Sequence, residues 1–481
     1  MEQVSSKPSL KLNYKRTALI GFAFFGICLL WQVYDTWCPP FLTDIFARNL
    51  YNLTAAQLND VANEAKRLEV QWLVGIIMAC DNLAALILLP IFGHLSDKAK
   101  TPIGKRMPFI LIGTFVSATV FPFIPLLFHL NKVAGMVIMM AIILMFMMMY
   151  RNPAVSLMPD MTPKPLRAKA NGIINIMGYF GGAFAAVLSI VLQFSSYILM
   201  DEAGRAAKFW TIEIPFVVAS VLMAVSAIVL FFTVKENKIA EEVREQMEEG
   251  ERLAELANPV EEDKPLTKAN KIMLWGILIA EFFWFMSDNA LGTYLSNYVV
   301  YYMHAASGNA GTLTIAGGVA SVIGFAVAGF IADKIVRKWT VSIGLGISLI
   351  ALITMIFIFP KERGADGIAP LPVLLYVVFV LKGFGMALVH NCSVPRVVEL
   401  ATGKSIGKFT SFYYAASMSA QTITPVLLGL IFKITLAWQA LPIYITVMST
   451  ISTIVFVTIV KNVKGSKGKN VKGLEALGAD D

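Results

Sequence analysis

Charged residues are scarce in this sequence: 15% of its 481 residues are Asp, Glu, Lys or Arg, against 57% that are hydrophobic. A water-soluble protein of this size neither needs nor can bury so much apolar surface, so the surplus faces lipid. Cysteine is scarce too. Cys28, Cys38, Cys80 and Cys392 lie in or beside apolar runs with no CxxC pair, which excludes a disulfide framework and a cysteine zinc site. No GxxxxGK[ST] loop is present, so direct drive by a nucleotide is excluded. The Met-rich run Met139 to Met149 has no His or Cys beside it and reads as adaptable helix surface, not a metal site. No catalytic group, cofactor or metal is expected, and the chain is not read as an enzyme. The net charge of +8 is spread over short breaks between apolar runs, so a nucleic-acid partner is not expected either.

What is abundant is the apolar run of about 20 residues, the length a helix needs to cross roughly 30 Å of hydrocarbon. The expected spans are 17–38, 70–92, 108–129, 133–156, 170–196 and 212–234, then 271–303, 309–332, 339–359, 371–393, 409–433 and 437–460, all helical because lipid offers the backbone no other partner. The first is too long for a signal peptide and ends at Pro39-Pro40. Between Pro39 and Arg67 the long external loop is expected, with Ala55 to Leu68 helical. Basic residues fill alternate breaks: Lys98, Lys100, Lys105 and Arg106; Lys164, Arg167 and Lys169; Lys334, Arg337 and Lys338; Arg396, Lys404 and Lys408. These place both termini in the cytoplasm of a multi-pass cell-membrane protein. The Glu-rich stretch 235–270 is a cytoplasmic linker, its first part either an amphipathic helix on the membrane surface or a solvated connector. The expected division is 1–234, linker 235–270, 271–460 and a tail 461–481.

The two halves repeat each other. Trp31 with Asp35 in the first helix matches Trp284 with Asp288 in the seventh. Gly93 to Asp97 after the second helix matches Gly329 to Asp333 after the eighth, and Asn152 before Asp160 matches Asn391 before Glu399. Such duplication predicts an all-α membrane protein of twelve helices in two pseudo-symmetric six-helix bundles with a cleft between them.

The loop Gly93-His-Leu-Ser-Asp97-Lys-Ala-Lys-Thr-Pro-Ile-Gly104-Lys105-Arg106-Met-Pro108 resembles the signature of the major facilitator superfamily. Its long spacer is similar to that of glycoside-pentoside-hexuronide:cation symporters and sucrose transporters. Arg151 to Asp160, followed by Arg167-Ala-Lys-Ala-Asn171-Gly172, resembles the same families. The resemblance implies alternating access, a sugar or glycoside cargo, a coupling cation and a surround of membrane lipid, with Gly93, Asp97, Gly104, Lys105, Arg106 and Asp333 as gate residues. Physically, Asp97 can cap a helix end and pair with a basic residue of a neighbouring helix only while the cytoplasmic side is closed; the alternative is a loop whose charge merely sets topology. The melibiose-permease branch carries two aspartates on its second helix as part of a sodium site, whereas Asp81 stands alone here. That favours H+ over Na+ as the coupling ion, since a lone buried carboxylate can carry a proton without a full coordination shell.

Charge inside an apolar helix costs about 2.5 to 3.5 kcal/mol on insertion scales, so each instance is a functional hypothesis. Asp35, Asp81, Arg151, Glu281, Asp288, Lys382 and His390 qualify, and the resemblance implies that their helices border the central cavity. Carboxylates accept sugar hydroxyls and indoles stack on pyranose faces. Trp31, Gln32, Asp35, Asn82, Trp284, Asp288, Asn289, Tyr294 and Asn391 are therefore the expected substrate residues. Asp81, Arg151, Glu281 and Lys382 are the expected ion-coupling residues. Lys382 needs an acid, Glu281 or Asp288, in a pair that either couples ion to solute or only fixes packing. Arg151 either serves a relay opposite Asp81 or snorkels to the interface, and His390 reads as a hydrogen-bonded structural histidine. Two other readings share these features: a lysophospholipid-type transporter of the same fold, and a non-transporting membrane sensor or scaffold.

Overall fold

A computed structural model describes residues 10–257, 267–332, 337–364, 367–398, 400 and 405–461. Among them are twelve helices long and apolar enough to cross a membrane, and no strand. In chain order these are α1 (Tyr14–Leu50), α2 (Gln71–Lys98), α3 (Met107–Val120, resumed over Phe123–His129), α4 (Val133–Asp160), α5 (Arg167–Val191) and α6 (Phe209–Thr233). The second half has α7 (Lys268–Asn297), α8 (Gly308–Ala332), α9 (Arg337–Ile356), α10 (Val373–Val398), α11 (Ser405–Thr435) and α12 (Ala440–Ile459). The first six pack on one another chiefly through α1 with α5 and α6, and α4 with α2 and α3. The last six pack chiefly through α10 with α8 and α9, and α7 with α11 and α12. Twelve crossings return the chain to the end where it began, here called the terminal end; the opposite one is the far end.

The two halves meet along α1 with α7, α2 with α11, and α5 with α8. Under the repeat, α1 maps to α7, α2 to α8 and α5 to α11, so the last two contacts are images of each other. This is the expected pair of pseudo-symmetric bundles.

One boundary departs from expectation. The first span does not stop at Pro39-Pro40; α1 runs on to Leu50 with both prolines inside it. Proline removes two helical N–H donors and leaves the carbonyls of Asp35 and Thr36 without their usual partners. Here Trp37, Phe41, Leu42 and Ile45 are all fully buried, so tertiary packing holds the helix where local preference would end it. Thr43 adds a hydroxyl bond to the Pro39 carbonyl at 2.8 Å. Helical turns over Ala55–Leu58, Val61–Asn63 and Glu64–Glu69 cover the far end after it.

Polar contacts between the halves are concentrated at the far end. Thr43, Gln71 and Asn297, all fully buried, form a triangle in which the Gln71 and Asn297 amides donate to the Thr43 hydroxyl at 3.1 and 3.0 Å, and Asn297 also donates to the Gln71 side-chain oxygen at 3.1 Å. The Tyr301 hydroxyl donates to the Pro40 carbonyl at 3.1 Å, and the Tyr294 hydroxyl, bonded to the Pro425 carbonyl within the second half at 2.6 Å, lies 3.4 Å from the Gln71 carbonyl across the halves. Ser195 and Ser307 exchange N–H to hydroxyl bonds at 3.2 and 3.1 Å. After Asn297 the chain passes through a single π-helical stretch, Tyr298–Tyr302, a winding often found at functional positions. It aims Tyr301 beneath the Arg67 guanidinium, 4.8 Å from the ring centre.

A buried ion pair braces this end of the first half. Arg205, on the short helix Glu202–Ala207, places its two terminal nitrogens 2.7 and 2.9 Å from the two oxygens of Asp44 on α1. Asp44 is 0% and Arg205 3% exposed. Arg205 also donates to the Ile198 and Met200 carbonyls, so four of its five N–H groups are met, in keeping with a buried charge.

Candidate functional site

The helical rise of about 1.5 Å per residue sets the depth of each intramembrane charge. Counted from the terminal ends of their helices, Asp35 on α1, Asp81 on α2, Asp288 on α7 and Lys382 on α10 all lie roughly 24 to 32 Å up. They form one layer shared by both halves. Asp35 lies in the middle of α1 and not at its outer end, because the helix continues past the prolines. Arg151 on α4 starts lower, about 14 Å up.

In the first half, Asp81 feels the charges of both Asp35 and Arg151. Before Asp97 the second helix carries one acid, as expected, and Asp35 on α1 is the second carboxylate acting on it. Asn82, expected to face substrate, donates its side-chain amide to Asp81 at 2.9 Å and so orients that carboxylate. Gln32 donates to the Thr36 hydroxyl at 3.2 Å. The indole N–H of Trp31 and the hydroxyl of Tyr34 are buried without a protein partner.

In the second half, Lys382 forms a close ion pair with Asp288, and Asp288 also feels His390. Of the two acids expected for Lys382, the adjacent one is therefore Asp288. Glu281 is fully buried two turns below it on the same helix face, about 10 Å away along the axis. The Asn289 side-chain oxygen is buried without a protein partner, and Asn391 is buried next to His390.

Two expected substrate residues are enclosed elsewhere. Trp284 is 1% exposed in the interior of the second half, packed with Leu278, Leu345 and Met386, so its ring offers no free face, unlike half-buried Trp31. Tyr294 lies five positions beyond Asn289, about one and a half turns nearer the far end, its hydroxyl bonded to Pro425. Matched spacing picks out Trp284 along its helix, but burial is set by what each helix packs against.

The expected gate residues Gly93, Asp97, Gly104, Lys105 and Arg106 gather at the terminal end. Arg106 pairs with Asp97, donates its Nε to Asp160 at 2.9 Å and reaches the Ser96 hydroxyl and the Gly93 carbonyl. Lys105 joins at 3.0 Å from the same Asp160 oxygen. Gly93 lies against Asn152, whose amide donates to the Leu89 carbonyl at 2.7 Å. The Asp97 pair thus ties α2, α3 and α4 of one half together. Gly104 carries φ +117°, and Asp333 lies outside the described residues. Asp44, Arg205 and Glu236 went unrecognised in the sequence; the apolar residues flanking Asp44, from Phe41 through Ala47, were the available signal that the helix continued.

Comparison with known proteins accords with this geometry. No curated protein matches the sequence significantly. Among solved structures, a bacterial homolog to the human lysosomal transporter Spinster, inward-facing and occupied, superposes with a TM-score of 0.62 at 13% identity, over 94% of this chain and 98% of its own. The nucleoside transporter NupG gives 0.61 at 11% identity, over 93% and 100%. The inward-open xylose transporter XylE from E. coli gives 0.62 at 16%, over 94% and 96%. At such identities the likeness is one of fold. The family model for MFS/sugar transport proteins matches residues 19–438, and with most of its length so matched the chain belongs to the MFS/sugar transport protein family.

Proposed function

We propose that the chain is a secondary active transporter of a sugar or glycoside, working by alternating access as a proton symporter in a cell membrane, with both termini cytoplasmic. The division into 1–234, a linker 235–270, 271–460 and a tail 461–481 goes with this reading. One observation carries it: at a single depth the first half presents Asp35 and Asp81 and the second presents the Asp288–Lys382 pair. Opposed carboxylates and one ammonium suit a ligand with many hydroxyls, and the buried unpartnered donors of Trp31 and Tyr34 add to them. Asp35 and Asp81 are the proposed proton carriers, Arg151 their competing cation. With the termini cytoplasmic, the far-end seal is external and this conformer is closed to the outside.

The test is uptake of a labelled monosaccharide and disaccharide panel into proteoliposomes under a pH gradient, a sodium gradient or neither. Uptake driven by the pH gradient and abolished by Asp81→Asn is the expected result. Sodium-driven uptake would keep the cargo and overturn the ion. Silence across the panel from folded protein would favour the lipid cargo or the non-transporting reading.

Alternating access has its own check at Gly75. A Cβ there would stand 2.1 Å from the Pro425 carbonyl oxygen and 2.9 Å from the Tyr294 hydroxyl, and backbone cannot step aside as a flexible side chain would. Gly75→Val is expected to wedge the far end open, displacing the equilibrium by roughly tenfold or more, the scale of an overpacked interface. Asn297→Cys, buried in the sealed form, should then label with a membrane-impermeant maleimide from the far side. Equal labelling with and without the valine would count against the seal.

Of the far-end histidines, His304 does not titrate over the range of a pH-driven assay. His304 is pushed down to about 4 by burial and by Arg363 and Arg67, so it is neutral near pH 7 and accepts from the Arg363 guanidinium.

A further inference from the structure

The gate loop hangs on a residue that no motif in it contains. Glu236 follows α6 by three positions and opens the linker helix Glu236–Glu242. It is 4% exposed. Its carboxylate accepts three consecutive backbone N–H groups, those of Lys105 at 3.0 Å, Arg106 at 3.0 and 3.1 Å, and Met107 at 3.1 Å. The opening N–H groups of a helix have no partner within it, and a carboxylate there also meets the positive end of the helix dipole. α3 has no side-chain cap of its own residue, so the linker supplies the cap from about 130 positions away in sequence.

Two features show that the site is built around this carboxylate. Gly104 has φ +117°, the region that favours glycine, and a Cβ there would lie 2.1 Å from Glu236 Oε2. The next linker residue, Asn237, donates its amide to the Thr101 and Pro102 carbonyls at 3.1 and 3.0 Å. Two adjacent linker residues thus grip the loop from both sides of its turn. What the turn then presents is Arg106, whose guanidinium joins Asp97 and Ser96 at the end of α2 to Asp160 at the end of α4.

We propose that Glu236 is a positioning residue of the gate: by fixing the Lys105 to Met107 backbone it aims Arg106, so that the terminal ends of α2, α3 and α4 rock as one body with the start of the linker. The inference rests on the alternating-access reading, and it makes this linker segment a working part of the transporter, not a tether. A cap serving stability alone would lower thermal stability and leave turnover intact.

The test combines transport with a distance that needs no solute. In proteoliposomes, Glu236→Ala is expected to lower maximal uptake about tenfold, the scale of a lost strong cap, with KM within about twofold, and Glu236→Gln to fall between it and wild type. Because Glu236 acts through Arg106, adding Glu236→Ala to Arg106→Ala should lower uptake little further. In a chain with its four cysteines replaced by serine, spin labels at Lys98→Cys and Lys408→Cys span the halves at the terminal end. Glu236→Ala is expected to broaden and shift that distance distribution. Unchanged turnover with an unchanged distribution, or a full further tenfold loss on top of Arg106→Ala, overturns the proposal. If no solute is taken up even by the wild type, that failure counts against the transport reading, and the distance measurement still decides the role of Glu236.

Discussion

Lys382→Ala is expected to lower solute uptake by roughly 100-fold or more, the scale of losing one charge-assisted contact in a site that both ion and solute must pass. Lys382 neutralises Asp288 in the shared layer of charge. Without it, Asp288 either holds a proton permanently or stands as an uncompensated charge at membrane depth. In both cases the second half can no longer exchange partners as the first half loads. The pair is partly open, at 19% and 30% side-chain exposure, so the effect on folding should be modest while the effect on transport is large. Equilibrium solute binding and uptake, measured on Lys382→Ala, Asp288→Asn and the double variant, separate the possibilities. A static packing pair would let the double variant recover near-normal uptake; a coupling pair leaves it inactive with a folded chain.

Arg205→Ala should be the most destabilising single change outside the central layer, by about 3 to 5 kcal/mol. It takes the paired guanidinium from a fully buried Asp44 carboxylate that is left with Arg48 at 3.8 Å and the more distant charge of Arg67. The conservative partner test is Asp44→Leu with Arg205→Met, which removes both charges and fills the space. Replacing a buried pair by apolar groups of similar volume is often neutral or better, so the double variant should be more stable than Arg205→Ala alone. Thermal unfolding in detergent, followed by tryptophan fluorescence, reads both. A loss under about 1 kcal/mol for Arg205→Ala, the range of an exposed pair, would mean that the brace is solvated in the membrane-embedded protein.

How much of this was readable from the chain differs by kind of residue. The twelve spans follow from apolar length, because lipid permits only one backbone solution, and their placement agrees with the helices to within a turn or so at most ends. The Trp-to-Asp echo in the first and seventh helices put Asp35 and Asp288 on opposite sides of one layer. It did not reveal that Trp284 is enclosed while Trp31 is not, since period and spacing describe one helix and exposure depends on its neighbours. Pro39-Pro40 reads as a stop by local rules, and only the aromatic packing of Phe41 on Phe128 and Phe216, at 4.2 and 6.0 Å between ring centres, carries the helix on. Glu236 sits in a run of charges where composition says solvent. Its burial comes from a loop far away in sequence that lacks a cap, and that is a long-range fact.

The hydrogen bonds that join the halves at the far end run between uncharged groups: Thr43, Gln71 and Asn297, the Tyr301 hydroxyl with the Pro40 carbonyl, and the Ser195–Ser307 exchange. A transmembrane voltage does work only on charge it can move, about 2.3 kcal/mol per elementary charge per 100 mV. These bonds give it nothing to pull on, and dissolved salt screens none of them. In the proposed transport cycle, voltage therefore acts through the aspartates and the lysine of the central layer, and the far-end hydrogen bonds follow their state mechanically.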